Sequence, residues 1–456
     1  MVHTFIYKHN GKPLYFLWDV ESGSLFNVDD VAFLCAVNRY GEPDEALRAA
    51  YEALGAEHVA ECEAEFDELE KNGALNAPQK IREFKKNAGV VKALCLHICH
   101  DCNLRCEYCF ASGGTYNTAR DYMSAETAMA AIDFLIASSG NIRNLEVDFF
   151  GGEPLMNLDV VKKTVEYAKA RAAEAGKRFS FTMTTNCLLL NKANAEWLNA
   201  EMDNVVLSID GRESVHNGVR KSVSGKDCFG VILDNAVAFR KIRGEKKYYV
   251  RGTYTAKNKD FCADVLALND RGFDQISVEP VVLPDDHPLA LKMSDLEELK
   301  AEYDKLGEAY IERRKSGKWF NFFHYMIDLE HGPCLNKRLT GCGAGTDYLA
   351  VSPTGDIYPC HQFVGGDDAY LLGNVRDGIL RQDVRERFAG YTVLSKPHCA
   401  NCPAKYYCGG GCTANALHFT GSPDGCYELG CALQRKRLEV SLAIRFIENV
   451  MENNAD

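Results

Sequence analysis

Three cysteines stand within eight residues of one another, directly after an apolar segment that predicts a buried strand. They are Cys102, Cys106 and Cys109, and the segment before them spans 92–98. Thiolates are soft ligands that suit iron–sulfur clusters and zinc. Each thiolate takes one corner of a four-iron cluster, so three local thiolates leave one iron open to a substrate or cofactor. The alternative for this spacing is a zinc ion completed by a remote fourth ligand.

A second group of cysteines lies in the last third of the chain. They follow the pattern Cys-x12-Gly-x4-Cys, then Cys-x2-Cys-x5-Cys-x3-Cys, then a final Cys. The residues are Cys342, Gly355, Cys360, Cys399, Cys402, Cys408, Cys412 and Cys431. The chain has 19 cysteines, an odd number that disulfides cannot pair completely. Clustered thiols in a large chain of this kind are typical of metal ligands.

Composition excludes several classes of function. The 456 residues include 52 Lys and Arg against 64 Asp and Glu, a net charge of −12, which argues against broad nucleic-acid binding. A hydrophobic share of 46% is ordinary for a folded chain. No apolar run approaches the roughly 18 residues of a membrane helix, and the N-terminus lacks the pattern of a signal peptide. We expect a cytoplasmic protein that binds neither nucleic acid nor a membrane.

Strands and helices alternate between residue 92 and about 316. The strand-like segments are 92–98, 144–150, 178–184, 204–210, 248–255 and 274–282. The helix-like segments are 124–138, 157–175, 191–200, 227–242, 261–271 and 294–315. Such alternation predicts parallel strands joined by right-handed crossovers. Six units are too few for a closed barrel of eight, so the sequence predicts an α/β fold with a partial (β/α)6 barrel and ligands at the C-terminal ends of its strands.

The flanking segments have other patterns. Residues 1–40 predict a two-stranded hairpin with a turn at Ser22-Gly23, followed by a helix from Val31, and 43–86 predict helix. From 334 to 431 periodicity disappears and Cys, Gly and Pro are frequent, so metal clusters must stabilise the segment. Residues 431–452 predict a closing helix. The predicted domains are therefore 1–88, 89–316 and 317–456.

The central motifs resemble those of the radical S-adenosylmethionine (SAM) enzymes. An aromatic residue, Tyr108, precedes the last cysteine of the CxxxCxxC loop, and further matches end the later strands. These matches are Gly151-Gly152-Glu153-Pro154, Thr185-Asn186, Ser208, Asp210 and Arg251. The resemblance implies that Cys102, Cys106 and Cys109 hold a [4Fe–4S] cluster whose open iron binds SAM. One electron then cleaves SAM to a 5′-deoxyadenosyl radical that abstracts a hydrogen from carbon.

The same resemblance assigns the cofactor contacts. Gly151, Gly152 and Glu153 would meet the SAM amino group, Ser208 and Asp210 its ribose and methionyl part, and Arg251 its carboxylate. Tyr108 and Asn186 are further cofactor-binding candidates. Cys99 is an additional candidate ligand, since Cys99-x2-Cys102 forms another CxxC pair.

The C-terminal cysteines resemble the SPASM extension of peptide-modifying radical SAM enzymes. That resemblance implies two auxiliary four-iron clusters, which with the first make three. The outer cluster would be held by Cys399, Cys402, Cys408 and Cys431, with Cys426 as a competitor for the last position. The inner cluster would be held by Cys342, Cys360 and Cys412. Its fourth corner would take either Cys334 or a cysteine thiolate of the substrate.

The N-terminal hairpin and helices resemble the winged-helix recognition element of enzymes that modify ribosomally made peptides. An exposed hairpin edge can pair with an extended leader peptide, which adds a strand to the sheet. The implied partner is a cysteine-rich precursor peptide whose leader binds this hairpin. An ordinary capping subdomain is the alternative.

End to end, the chain looks like the maturases of six-cysteine (SCIFF-type, ranthipeptide) precursors. We therefore expect an enzyme that links a cysteine sulfur to a carbon of another residue as a thioether, with a small electron donor such as flavodoxin or ferredoxin. Formylglycine formation, carbon–carbon crosslinking and epimerisation are the alternatives. His361 stands where sulfatase-maturating relatives carry Asp, which counts against the first. The alternative outside the enzymes is a zinc-stapled peptide-binding adaptor.

Overall fold

A small antiparallel sheet and three helices open the structure. The computed structural model describes residues 1–329, 331–332 and 334–453. Its first elements are β1 (Val2–His9), β2 (Lys12–Asp19), β3 (Leu25–Val28), α1 (Asp30–Tyr40), α2 (Glu45–Glu52) and α3 (Ala56–Lys71). The predicted hairpin is β2–β3, but β1 also pairs with the whole length of β2. The sequence analysis missed β1 because its buried and exposed side chains do not alternate strictly.

The next strands include those of the parallel part of the main sheet, and two of them form a separate antiparallel ladder. They are β4 (Ala93–Cys99), β5 (Leu104–Cys106), β6 (Asn144–Gly151), β7 (Arg178–Thr185), β8 (Asn204–Ser208), β9 (Arg220–Ser222), β10 (Tyr248–Tyr254), β11 (Gln275–Pro280) and β12 (Asn321–Phe322). The order across the sheet is β12, β11, β10, β8, β7, β6, β4, with every neighbouring pair parallel. All six predicted strands are confirmed. β12 is a seventh parallel strand, and its two residues are too few to produce a pattern in the sequence.

Helices connect these strands. They are α4 (Ala125–Ser138), α5 (Leu158–Ala175), α6 (Lys192–Glu201), α7 (Glu213–Val219), α8 (Phe229–Arg243), α9 (Phe261–Asp270) and α10 (Leu296–Lys315). All but the short α7 were predicted. In α5, Val161, Val165, Ala168 and Ala172 recur at helical spacing and form its buried face. The helix ends at Gly176, whose φ of +64° suits a glycine.

Short elements fill the cysteine-rich segment, where the sequence has no regular periodicity. They are α11 (Leu335–Thr340), β13 (Tyr348–Val351), β14 (Asp356–Tyr358), β15 (Gly373–Asn374), β16 (Gly378–Ile379), α12 (Gln382–Gly390), α13 (Pro397–Ala400), α14 (Lys405–Cys408) and α15 (Thr413–Thr420). β13 pairs in parallel with β4, and β14 to β16 continue the main sheet antiparallel. The predicted closing helix is confirmed as α16 (Glu428–Asn453).

The main sheet is open, because β12 and β16 are its edges in the described part of the chain. This agrees with the predicted partial barrel. The sheet also crosses the proposed domain limits, since β12 follows residue 316 and β13 lies against β4. The limits 1–88, 89–316 and 317–456 therefore stay predictions, and the last three residues lie outside the described part.

The N-terminal sheet packs on α10 and α16. Tyr7 donates its hydroxyl to Glu308 at 3.1 Å, and the ring of Phe16 meets Phe446 with centroids 5.4 Å apart. Gly307 permits this close approach, because a Cβ there would lie 2.7 Å from the Tyr7 oxygen. Across the described residues, no helix combines the length and apolar character needed to cross a membrane.

A buried ion pair joins the N-terminal sheet to the cysteine-rich segment. Glu21, in the turn between β2 and β3, lies 2.6 Å from the ammonium of Lys405, and their side chains are only 6% and 1% exposed. Tyr406 also donates its hydroxyl to Glu21 at 2.9 Å. The turn of the N-terminal hairpin is thereby fixed to the helix that ends at Cys408.

Candidate iron–sulfur and SAM site

A cavity of about 480 Å³ lies where the parallel strands end. Its walls come from the segments that follow β4, β6, β7, β8, β10 and β11, with further residues from the cysteine-rich segment and α16. This is the edge at which an open parallel sheet binds its ligands. The cavity therefore lies at the C-terminal ends of the strands, where the sequence predicts the ligand site.

The first three cysteines share one wall of this cavity. Cys102, Cys106 and Cys109 all line it. Burial is the main cause that raises the pKa of Cys102 to about 12, and Glu153, Cys106 and Cys109 contribute to that rise. The loop is held by a two-stranded ladder that the sequence did not reveal, in which β5 pairs with β9 and Cys106 stands opposite Arg220. The three thiols are thus brought together by backbone pairing.

Two glycines let the end of β6 approach this loop. A Cβ on Gly151 would lie 2.4 Å from the carbonyl oxygen of Cys99, and one on Gly152 only 1.8 Å from that of Asp101. The close approach is used for backbone bonds, since Gly152 donates its N–H to Cys99 and Glu153 donates its N–H to Asp101, both at 2.9 Å. The GGE motif therefore fits against the cysteine loop for a steric reason.

Glu153 is buried behind the two glycines. Its carboxylate accepts the N–H of Leu155 at 3.0 Å, the hydroxyl of Thr185 at 2.8 Å and the N–H of Asn186 at 2.7 Å. Burial raises the pKa of Glu153 to about 7, and the hydrogen bonds from Asn186, Leu155 and Thr185 oppose that rise. Glu153 thereby ties the turn after β7 to the turn after β6.

Asn186, Ser208 and Arg251 line the cavity, as the sequence predicted for cofactor contacts. The amide of Asn186 donates to the sulfur of Cys102 at 3.6 Å. Arg251 is exposed, and no hydrogen bond or ion pair engages its guanidinium among the described residues. Glu279 lines the same cavity, and the charge of Arg251 is among those that lower its pKa. A guanidinium that makes no direct ion pair here suits an anionic ligand such as a carboxylate.

Asp210 differs from the other predicted contacts. It is fully buried and does not line the cavity. Its carboxylate accepts the hydroxyl of Tyr108 at 2.7 Å, two N–H groups of Arg220 at 2.8 and 3.0 Å, and the N–H of Thr253 at 2.9 Å. Burial opposes its ionisation, but Arg220 and Tyr108 outweigh that effect and lower the pKa of Asp210. Asp210 therefore holds Tyr108 and Arg220, which do line the cavity.

Arg220 is a cavity residue that sequence reasoning missed, as are Glu279 and Arg437. Arg220 belongs to a three-residue strand with no periodic pattern, so no signal beyond its positive charge marked it. Its guanidinium lies 5.4 Å from the centre of the Tyr108 ring.

A second set of thiols reaches the same cavity from the C-terminal segment. Cys412 lines the cavity. Burial raises the pKa of Cys360, and the nearby thiols of Cys412 and Cys342 add to that rise. His361 also lines the cavity, with its ring 5.1 Å from that of Phe150. Burial lowers the pKa of His361 to about 4, so the ring is neutral near pH 7.

A third set of thiols lines a second cavity of about 590 Å³. The members are Cys399, Cys402, Cys408, Cys426 and Cys431. Cys426 lies near Cys399 and Cys431. Burial raises the pKa of both thiols, and Cys426 adds to the rise in each. Five thiols therefore surround the predicted outer site, and the choice between Cys426 and Cys431 stays a prediction. Cys408, Cys426 and Cys431 also line the first cavity.

The two remaining candidate cysteines lie in other surroundings. Cys99 is buried, and its thiol donates to the carbonyl oxygens of Asp101 and Glu153 at 3.3 and 3.2 Å. It does not line the cavity, so the structure does not bring it to the first set. Cys334 is exposed at the start of α11.

The thiols are grouped without converging on a point. In the part of the chain that the structure describes, no three His, Cys, Asp or Glu side chains come together tightly enough for a single metal ion. A zinc ion needs all its ligand atoms within about 2.0–2.3 Å of one centre. A four-iron cluster instead spreads its thiolates over separate corners. Three thiols on one wall of the cavity, beside the glycines that follow β6 and the guanidinium of Arg251, fit a cluster with SAM bound to it.

Comparison with known sequences agrees with this geometry. The pattern of the radical SAM superfamily matches residues 96–255, and that of an iron–sulfur cluster-binding domain, SPASM, matches 342–403. The radical SAM cyclopropyl synthase TigE of Paramaledivibacter caminithermalis is 23% identical over 71% of this chain and 68% of its own. The mycofactocin maturase MftC of Mycolicibacterium smegmatis is 26% identical over 76% and 84%.

A solved structure shares the fold. Native anSMEcpe with bound AdoMet and Cp18Cys peptide superposes with a TM-score of 0.63 at 20% identity, covering 80% of this chain and 99% of that one. The first matched segment contains the three cysteines of the SAM loop. The second contains four cysteines of the C-terminal pattern and its glycine, namely Cys342, Gly355, Cys360, Cys399 and Cys402. Such domains carry [4Fe–4S] clusters and SAM. The chain therefore contains a radical SAM domain followed by a C-terminal SPASM domain.

Proposed function

We propose that this protein is a radical SAM maturase that joins a cysteine sulfur of a precursor peptide to a carbon of another residue. The observation that carries the proposal is a single cavity lined by both Cys102, Cys106 and Cys109 and by Cys412 of the second thiol set. A peptide that enters this cavity is within reach of both sets. When bound, a reduced cluster and SAM supply the radical that removes hydrogen from carbon.

The protein residues position the reactants. Cys102, Cys106 and Cys109 hold the first cluster, and Arg251 and Asn186 bind SAM beside it, with Tyr108 and Arg220 fixed in the wall by Asp210. Cys342, Cys360 and Cys412 would hold an inner cluster, with a substrate thiolate as its further ligand in preference to the exposed Cys334. Holding both partners makes the coupling effectively intramolecular.

The outer cluster completes a set of three. Cys399, Cys402, Cys408 and Cys431 would hold it, and the auxiliary clusters would supply an acceptor for the extra electron of the coupling. A small carrier such as flavodoxin or ferredoxin would be the electron donor for SAM cleavage. The leader of a cysteine-rich peptide pairs with the edge of the β2–β3 hairpin. Support for a peptide substrate comes from the Cp18Cys peptide in the structure of anSMEcpe.

The test uses anaerobically reconstituted protein and candidate cysteine-rich peptides. We expect about 12 irons per chain, since each of three clusters contains four. Reduction in the presence of SAM should release 5′-deoxyadenosine, and each thioether should remove two hydrogens and one titratable thiol from the peptide. Mass spectrometry and thiol alkylation measure both.

Two variants separate the roles of the thiol sets. Replacing Cys102, Cys106 and Cys109 by Ala should abolish SAM cleavage and peptide modification together. Replacing Cys342, Cys360 and Cys412 by Ala should leave SAM cleavage and remove the thioether.

Other products would contradict the proposal in distinct ways. Loss of sulfur from the peptide indicates formylglycine formation, and loss of two hydrogens with every thiol intact indicates a carbon–carbon link. Deuterium uptake without a mass change in ordinary water indicates epimerisation.

A further inference from the structure

A buried lysine lies beside the outer thiols without a carboxylate to balance its charge. Lys396 is 3% exposed. Its ammonium donates to the backbone carbonyls of Gly410 at 3.1 Å and of Pro423 and Gly425 at 3.4 Å. All three acceptors are neutral. Carrying a charge into the protein interior is costly unless an opposite charge compensates it.

The other buried lysines follow this rule. Lys86 lies 2.8 Å from Asp347, Lys405 2.6 Å from Glu21, and Lys436 2.6 Å from Asp304. Of the four buried lysines in the described residues, Lys396 alone has no carboxylate within ion-pair distance. Its counter-charge must therefore come from something other than a described carboxylate.

Backbone contacts place Lys396 beside the ligand segments. Its carbonyl oxygen accepts the N–H of Cys399 at 2.9 Å, and its ammonium donates to Gly410, which lies between Cys408 and Cys412. A [4Fe–4S] cluster with four thiolates has a net negative charge, and its potential depends on nearby charges. A buried cation at this place both gains a counter-ion and favours the reduced cluster.

The same ammonium also connects two loops that carry candidate ligands. Gly410 lies between Cys408 and Cys412, and Gly425 precedes Cys426. Lys396 itself stands at the N-terminal end of α13, which carries Cys399. One side chain thus links three ligand-bearing segments.

We propose that Lys396 is a positioning residue for the outer auxiliary cluster, whose ammonium compensates the cluster charge and holds its ligand loops together. The proposal rests on the three-cluster assignment made above. It predicts that removing the charge shifts the outer cluster toward its oxidised form without a matching change at the SAM-binding cluster.

The experiment is an EPR-monitored redox titration of the reconstituted full chain. It compares the unmodified protein with Lys396→Met, Lys396→Arg and the surface control Lys192→Met, whose parent side chain is 91% exposed. A parallel background with Cys102, Cys106 and Cys109 replaced by Ala reports the auxiliary clusters alone. Iron analysis accompanies every sample.

We expect Lys396→Met to shift the reduction equilibrium of the outer cluster at least tenfold toward oxidation, about 59 mV for a one-electron couple. Lys396→Arg should restore it, and Lys192→Met should leave it unchanged. Full iron with an unshifted potential in Lys396→Met would overturn the proposal. If Lys396→Met loses the outer cluster, retention in Lys396→Arg supports the proposal, whereas loss from both variants shows a packing role and overturns it.

Failure of the underlying function has a separate signature. An unmodified chain that binds only about four irons would refute the three-cluster assignment before any variant is made. A chain with all three clusters that does not modify peptides would refute the thioether proposal and leave the titration of Lys396 variants valid.

Discussion

Both carboxylate oxygens of Glu153 hold the turns after β6 and β7 in place at the cavity. Both oxygens accept hydrogen bonds, from Leu155 and Thr185 on one side and from Asn186 on the other. The Glu153→Gln substitution replaces one acceptor by an NH2 group that faces an N–H donor. Leaving a buried donor unsatisfied costs about 1–3 kcal/mol, so we expect SAM to bind roughly tenfold more weakly or worse. Equilibrium binding of SAM measures this.

The control for Glu153→Gln is Glu146→Gln, on the same strand but with an exposed side chain. Equal SAM affinity in both variants would contradict the role assigned to Glu153.

A second carboxylate makes stability depend on pH. Burial raises the pKa of Asp148 to about 6 from 3.8, and Glu146 adds to the rise. Between these values the folded state binds more protons than the unfolded state, so stability falls as pH increases. Asp148→Asn should therefore be more stable than the unmodified protein by roughly 3 kcal/mol at pH 8. The difference should vanish below about pH 4.

Urea unfolding at several pH values measures the Asp148 effect, with Glu42→Gln, at an exposed position, as the control. A constant difference between Asp148→Asn and the unmodified protein across the pH range would show that burial of the charge is not its cause.

Single residues also show what the sequence could and could not predict. Tyr108, Asn186 and Arg251 were predicted at the cavity because each has a fixed place relative to a cysteine or a strand end. Asp210 was predicted by the same reasoning, yet it is buried behind Tyr108, because only three-dimensional packing decides which way a side chain at a strand end turns. Arg220 comes from a distant segment and could not be found from spacing.

At the scale of elements, the turn after β6 depends on the missing Cβ of Gly152. Gly152→Ala would place a methyl group 1.8 Å from the carbonyl oxygen of Asp101, which is backbone and cannot turn away. We expect the cysteine loop to move and the protein to lose about four irons together with SAM cleavage. Iron analysis and 5′-deoxyadenosine release measure the two effects.

A glycine in an open position serves as the control for Gly152→Ala. Gly230 lies in α8 with no atom within 4 Å of an added Cβ, so Gly230→Ala should retain both cluster and cleavage. A Gly152→Ala protein with full iron and normal cleavage would contradict the steric argument.

Elements with a long periodic pattern were predictable, and short ones were not. The six parallel strands and six of the helices could be found because each has an apolar run or a recurring apolar face long enough to mark it in the sequence. The ladder of β5 and β9 and the strands β13 to β16 contain two to four residues each. Their pairing depends on partners far away in sequence, and such contacts leave no local pattern.

At the scale of the whole molecule, the N-terminal sheet is held against the SPASM segment by the Glu21–Lys405 pair. Glu21→Gln would leave Lys405 buried without its counter-charge, which costs about 3–5 kcal/mol. We expect the N-terminal sheet to detach and the segment between Lys71 and Ala93 to become sensitive to protease. Limited proteolysis of the reconstituted protein measures this.

Glu42→Gln is the control for the Glu21 substitution, since Glu42 belongs to the same N-terminal region and is exposed. Identical cleavage rates for the Glu21→Gln and unmodified proteins would show that apolar packing alone keeps the sheet in place.

Because β13 runs beside β4, with Ala350 opposite Cys95, the C-terminal third protects the hydrogen-bonding edge of the strand that leads into the SAM loop. An uncovered strand edge recruits other chains and aggregates. Truncating this protein ahead of β13 would thus give an aggregated, insoluble protein rather than a smaller active enzyme. Chimeras that borrow the tail of a relative can work only if the donated strand preserves that alignment.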